Sequence, residues 1–118
     1  MEERISWIEH KGQKILFIDY TKLADKELIA AAQKAGEAYK KAPDNVLVLV
    51  DATDSYANNE VMTELNKATA LLNNKMKKGA VLGVSGVKKL LLMMLNNFLK
   101  VKFEPMETIE KAKDWLVS

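Results

Sequence analysis

Apolar and polar residues alternate along Ile5-Ser6-Trp7-Ile8. Lys11-Gly12 interrupts the pattern, and the apolar run Ile15-Leu16-Phe17-Ile18 follows, ending at Asp19. The two runs are close enough to pair as an antiparallel hairpin, with the more polar first run at the sheet edge. From Leu23 to Ala42 the period becomes helical: Ala24, Leu28, Ala31, Ala35, Ala38 and Ala42 recur at spacings of three and four. Ile29, Ala32 and Tyr39 widen that stripe, and its small side chains suit close packing on a sheet. Thr21 or Asp25 is the expected cap, and Pro43-Asp44-Asn45 stops the helix.

Val46-Leu47-Val48-Leu49-Val50 is apolar at every position and largely β-branched. A strand buried on both faces needs a layer on each side, which predicts a parallel sheet covered by helices. Ala52 to Asn59 reads as loop, and Glu60 to Met76 as a helix capped by Asn58 or Asn59. A further strand is expected over Lys78 to Val84, a turn over Gly83 to Gly86, and a helix over Val87 to Leu99. A short strand over Val101 to Phe103, broken by Pro105, and a terminal helix capped by Thr108 complete the chain. The order β-β-α-β-α-β-α-β-α predicts one α/β domain over 1–118: a mixed, mostly parallel sheet with an N-terminal antiparallel hairpin and four helices.

Composition narrows the function classes. The chain has 118 residues, 48% of them hydrophobic, and no cysteine. Disulfides, thiol catalysis and thiolate metal sites are therefore excluded. His10 is the only histidine and lies beside the hairpin turn, so multi-histidine metal centres are excluded and a histidine-based triad has no support. No metal or cofactor is expected. Met1 to Trp7 does not read as a signal peptide, and no apolar run reaches the roughly 20 residues of a membrane span, so a cytoplasmic location is expected.

Net charge is only +2, but Leu65 to Phe103 holds eight lysines and no acid, so that segment is +8 and the remainder −6. Such asymmetry fits either an anionic partner or surface, or a solvated lysine face. Arg4 is the sole arginine, and the aromatic and arginine pattern of base readers is missing, so nucleic acid is not an expected partner.

Ligands of open α/β sheets meet the carboxyl ends of the strands. The segments arriving there are Asp19-Tyr20-Thr21, Asp51-Ala52-Thr53-Asp54-Ser55-Tyr56 and Gly83-Val84-Ser85-Gly86. Asp51 and Asp54 have the chemistry of acid/base groups or Mg²⁺ ligands, but strand-end aspartates equally cap their own loops. Gly83, Ser85 and Gly86 before a helix could cradle an anion, with Lys88 and Lys89 adding charge, although a tight turn uses the same residues. An enzyme acting on a phosphorylated metabolite would use Asp51, Asp54 and Ser85.

Val87 to Leu99 is too apolar for one packing face. Leu90-Leu91-Leu92-Met93-Met94-Leu95 occupies every angle around the axis, and Phe98 and Leu99 continue it. The terminal helix, a second copy, a protein partner or a lipid surface would cover the excess, and Leu91, Met94, Leu95 and Phe98 are the expected contact residues. A cavity between this helix and the sheet would instead suit an apolar ligand such as a fatty acid.

Ile15-Leu16-Phe17-Ile18-Asp19, Val46-Leu47-Val48-Leu49-Val50-Asp51, Val81-Leu82-Gly83-Val84-Ser85-Gly86 and the ending Thr108 to Leu116 occur in an order that resembles the STAS-like superfamily of anti-sigma-factor-antagonist-like domains. The likeness leans towards the divergent bacterial subgroup grouped with the CRAL-TRIO-like lipid carriers, and it spans almost the whole chain. It implies a non-enzymatic module that binds proteins or small apolar ligands. Antagonists of that superfamily carry an Asp-Ser-Ser-Gly-like phosphorylation segment after the central strand. Thr53-Asp54-Ser55-Tyr56-Ala57 matches only its Asp-Ser part, which implies Ser55, then Thr53, as modification sites if a switch is kept.

Overall fold

A computed structural model describes residues 4–118. Nine elements follow in the order β1 (Ile5–His10), β2 (Gln13–Asp19), α1 (Asp25–Lys41), β3 (Val46–Asp51), α2 (Asn59–Ala70), β4 (Met76–Leu82), α3 (Val87–Asn96), β5 (Phe103–Met106) and α4 (Ile109–Leu116). The strands form one five-stranded sheet in the order β1-β2-β3-β4-β5. β1 runs antiparallel to β2, and every other neighbouring pair is parallel. The mixed sheet, hairpin and four helices expected from the hydrophobic pattern are all present.

Local chemistry explains the joints. Lys11 and Gly12 both take positive φ, 50° and 81°, which a two-residue hairpin turn requires. His10 and Gln13 close that turn as register partners. Each crossover then steps to the next strand in the same direction. The right-handed rule therefore sends α1, α2 and α3 to one face, while α4, after the last strand, returns to the other. Strand side chains alternate between the two cores. Leu16, Ile18, Val46, Val48, Val50 and Val81 face α1 and α2, whereas Ile15, Leu47, Leu49, Ala80 and Leu82 face α4.

Several boundaries differ from the sequence expectation. The helix read as Glu60 to Met76 stops at Ala70, where successive i→i+3 bonds tighten the chain, and Met76 opens β4 beside Val46. The neighbouring strand thus begins two residues before Lys78 and ends at Leu82, because Gly83 turns at φ 78°. The last strand is Phe103–Met106, not Val101 to Phe103, and Pro105 lies inside it opposite Val81. An edge strand tolerates proline because one side of it needs no N–H donor. α3 stops at Asn96, whose amide group bonds both backbone polar atoms of Phe103.

Capping follows a mixed pattern. Asn58 and Thr108 cap α2 and α4 by accepting from the N–H groups of Val61 and Lys111. Neither Thr21 nor Asp25 caps α1. Its N-cap is Ala24, without a side-chain bond, because the Thr21 hydroxyl donates to Asp19 instead.

On the α4 side, His10 Nε2 lies 2.7 Å from Asp114 Oδ1 and Lys11 Nζ lies 3.1 Å from the same oxygen. These contacts, the hydrogen bond to His10 foremost, hold the Asp114 carboxyl below its ordinary range. A carboxyl depressed by folding stabilises above its unfolded pKa, and that contribution disappears as pH falls through the lowered value. Carboxyl-carbon NMR titration should find Asp114 titrating below an ordinary aspartate, and His10→Ala should move it back up.

Candidate functional site

The strand-end segments do converge in space. Asp19 and Asp51 are register partners at the ends of β2 and β3. Each closes an identical Asp-x-Thr turn. Asp19 Oδ1 accepts from the Thr21 N–H at 2.9 Å and hydroxyl at 2.6 Å, and Asp51 Oδ1 accepts from the Thr53 N–H at 3.0 Å and hydroxyl at 2.6 Å. Both carboxylates are thereby engaged as loop caps. Asp54 is exposed at φ 58°, and no group of three metal-ligating side chains occurs among the described residues.

The β4–α3 turn is likewise built for tightness. Gly83 backs onto Thr53, and Gly86 forms the N-cap of α3 with φ 57° and no side-chain cap bond. Ser85 is exposed beside it. Lys88, expected to add charge to an anion cradle, turns inward instead. Its amine donates to the carbonyls of Ala52 at 2.8 Å and Gly83 at 3.4 Å, and it lies 5.6 Å from the centre of the exposed Tyr56 ring. Of the two hydroxyls named for modification, Thr53 is exposed, whereas Ser55 is buried with its hydroxyl donating to Ala52 at 2.7 Å.

Most of the lysine-rich segment is folded onto the protein itself. Six of its eight lysines make intramolecular contacts: Lys67 with Glu64, Lys100 with Asn74, and Lys75, Lys78, Lys88 and Lys102 with backbone carbonyls. A brace on helix-end carbonyls needs a flexible cationic donor, and lysine supplies one.

α3 divides into two faces. Val87, Leu90, Met93 and Met94, with Phe98 just beyond the helix, are all more than half exposed, from 57% at Met94 to 74% at Phe98. No residue of the helix is fully buried. The inner face carries Leu91, Leu92 and Leu95, which roof an apolar pocket of about 110 Å³. Its walls come from α1 and α2 through Leu28, Met62 and Leu65, and from the sheet through Val50, Val81 and Phe103. Thus the expected contact residues separate: Leu91 and Leu95 face the pocket, and Met94 and Phe98 face outward.

Two lining tyrosines come from different parts of the sequence reading: Tyr20 from a strand-end segment and Tyr39 from the apolar stripe of the first helix. Tyr20 and Tyr39 are buried, and both line the pocket. Burial pushes both phenols well above their ordinary pKa, so both stay protonated at neutral pH. Tyr39 sits on the apolar stripe of α1, a visible signal, but its place in the same pocket wall as Tyr20 depends on the docking of α1.

No protein-family model matches the sequence, and no curated protein matches it either. Among solved structures, the chain is similar to an uncharacterised DUF3478-family protein from Shewanella loihica PV-4 with a SpoIIAA-like fold. The TM-score is 0.73 at 17% identity, covering 95% of this chain and 91% of that one. The fold is SpoIIAA-like. That agrees with the STAS-like resemblance of its segments, and at such low identity the likeness speaks for architecture alone. Within the SpoIIAA-like frame, the pocket lies under the third crossover helix at the carboxyl end of the sheet. Among the described residues, no helix is long and apolar enough to cross a membrane.

Proposed function

We propose that this SpoIIAA-like domain is a non-enzymatic protein-interaction module that docks through the outer face of α3. The carrying observation is the row of large apolar side chains that α3 leaves in water. Covering each is worth roughly 1.5–3 kcal/mol, so the face favours association. Methionines at 93 and 94 let such a face adapt to a partner's shape. Engagement of both strand-end aspartates by threonines favours binding over a reaction at Asp51, Asp54 and Ser85. In a regulated form of the module, Thr53 is the accessible acceptor for phosphate.

A second copy is the first partner to test. Sedimentation at micromolar concentrations should show a dimer for the wild type and a monomer for Met94→Asp. A wild-type monomer would remove self-association and leave a different protein as the partner.

The pocket favours a second reading, a carrier or sensor of a small apolar ligand. An enclosed apolar cavity of about 150 Å³ holds benzene, so the smaller space under α3, about 110 Å³, encloses only a few carbons of such a ligand. A long fatty acid would extend out of its mouth.

A further inference from the structure

We infer that the groove across the amino ends of β2, β3 and β4 binds a planar aromatic anion, its ring against Trp7 and its charge between Lys14 and Lys77. The site lies at the end of the sheet opposite the strand-end loops. It is separate from the α3 face and from the pocket beneath that helix.

The groove has a volume of about 490 Å³, within the range of about 300–1,000 Å³ usual for small-molecule sites. Its apolar lining comes from Val46 and Leu47 of β3 and Pro43 of the preceding loop. Trp7 lines it from β1 and is 48% exposed. An indole left half in water offers surface for ring stacking, which favours an aromatic ligand over a saturated one.

Charge selects the sign of the ligand. Lys14 of β2 and Lys77 of β4 both line the groove, and both are exposed. Lys75, Lys78, Lys88 and Lys102 spend their amines on carbonyls. The amines of Lys14 and Lys77 have no ion-pair partner among the described residues. No acidic residue lines the groove. The neighbouring acids are Glu9, opposite Lys14 in the hairpin register, and Asp44 in the α1–β3 loop, and neither pairs with these lysines. Adjacent strands lie about 4.8 Å apart, so the two lysines, two strands apart, begin roughly 10 Å from each other. Their flexible stems let both amines reach one anionic group.

NMR titration of the isotope-labelled full chain, read at the indole N–H signals, tests this with three probes of similar shape: cinnamate, cinnamyl alcohol and cyclohexylacrylate. Cinnamate should move the Trp7 signal and leave that of Trp115, on α4, in place. It should bind about fivefold tighter than cinnamyl alcohol, the combined effect of two exposed ion pairs. It should bind about threefold tighter than cyclohexylacrylate, because only cinnamate stacks a ring. At about 0.5 M salt the advantage of the acid over the alcohol should shrink, since exposed charges are screened. The double variant Lys14→Met with Lys77→Met keeps both stems at exposed positions and should bind cinnamate and cinnamyl alcohol alike. Equal binding of acid and alcohol by the wild type, a preference unchanged by salt or by the double variant, cyclohexylacrylate binding as tightly as cinnamate, or no saturable shift at Trp7 would each overturn the proposal. A Trp7 signal that moves with protein concentration alone would assign the groove to contact between copies and overturn it as well.

Discussion

Gly83→Ala is expected to destabilise the protein by about 3 kcal/mol or more, the sum of backbone strain and overpacking. Gly83 has φ 78°, a region that L side chains rarely adopt. An added Cβ would lie 2.5 Å from both the N and Cα of Thr53 and 2.6 Å from its hydroxyl oxygen. Thr53 has nowhere to go. Its N–H is bonded to Asp51, its carbonyl accepts from Lys22, and the preceding Ala52 N–H is bonded to Leu82. The β3 and β4 loop ends are therefore locked together at the one point where a methyl group cannot enter. Urea unfolding measures the loss, and the melting temperature should fall by on the order of 10 °C. Gly86→Ala is the control. It also has positive φ, but nothing lies within 4 Å of its Cβ position, so only the strain remains. Equal losses at the two positions would show that the Thr53 contact is not limiting.

Lys75→Met should cost about 2 kcal/mol, well beyond the usual effect of a surface substitution. The Lys75 amine donates to the carbonyls of Tyr39, Lys40 and Ala42 at 3.2, 2.6 and 3.0 Å. Those oxygens close α1, where the Ala42 N–H reaches back only to the Tyr39 carbonyl, at 3.3 Å, and the helix dipole favours a cation. Methionine keeps the apolar stem and removes the donors. Lys77→Met, at an exposed position in β4, should change stability by less than about 0.5 kcal/mol. Urea midpoints compare the two, and similar values would mean that the amine of Lys75 contributes nothing.

This difference between two lysines separated by one residue marks where sequence reading stops. The +8 segment was open to an anionic partner or a solvated face. The structure shows a third use, because helix ends and loop ends bring clusters of carbonyls within reach of particular lysines. Nothing in the local sequence marks Lys75, Lys78, Lys88 or Lys102 for that work. The strand-end aspartates were more legible. Asp-x-Thr recurs at 19–21 and 51–53, and loop capping was the alternative that geometry selected over metal or acid/base roles. The helix end at Ala70 was not legible, since apolar residues continue through Leu71, Leu72 and Met76. Pairing of Met76 with Val46 overrode that periodicity.

Sequence alone determined the architecture: a hairpin turned by Lys11-Gly12, a central strand apolar on both faces, crossover helices, and an excess of apolar surface between Val87 and Leu99. These features follow from backbone preferences and the periods of helix and strand, which act over a few residues. The tertiary structure decided how that apolar surface is divided, Leu91 and Leu95 over a pocket and Met94 and Phe98 towards solvent. It also brought Tyr20 and Tyr39 to one pocket wall and tied four lysines to carbonyls. Those outcomes depend on how α1, α2 and α3 sit on the sheet, and contacts between distant segments are set by packing, which local pattern does not encode.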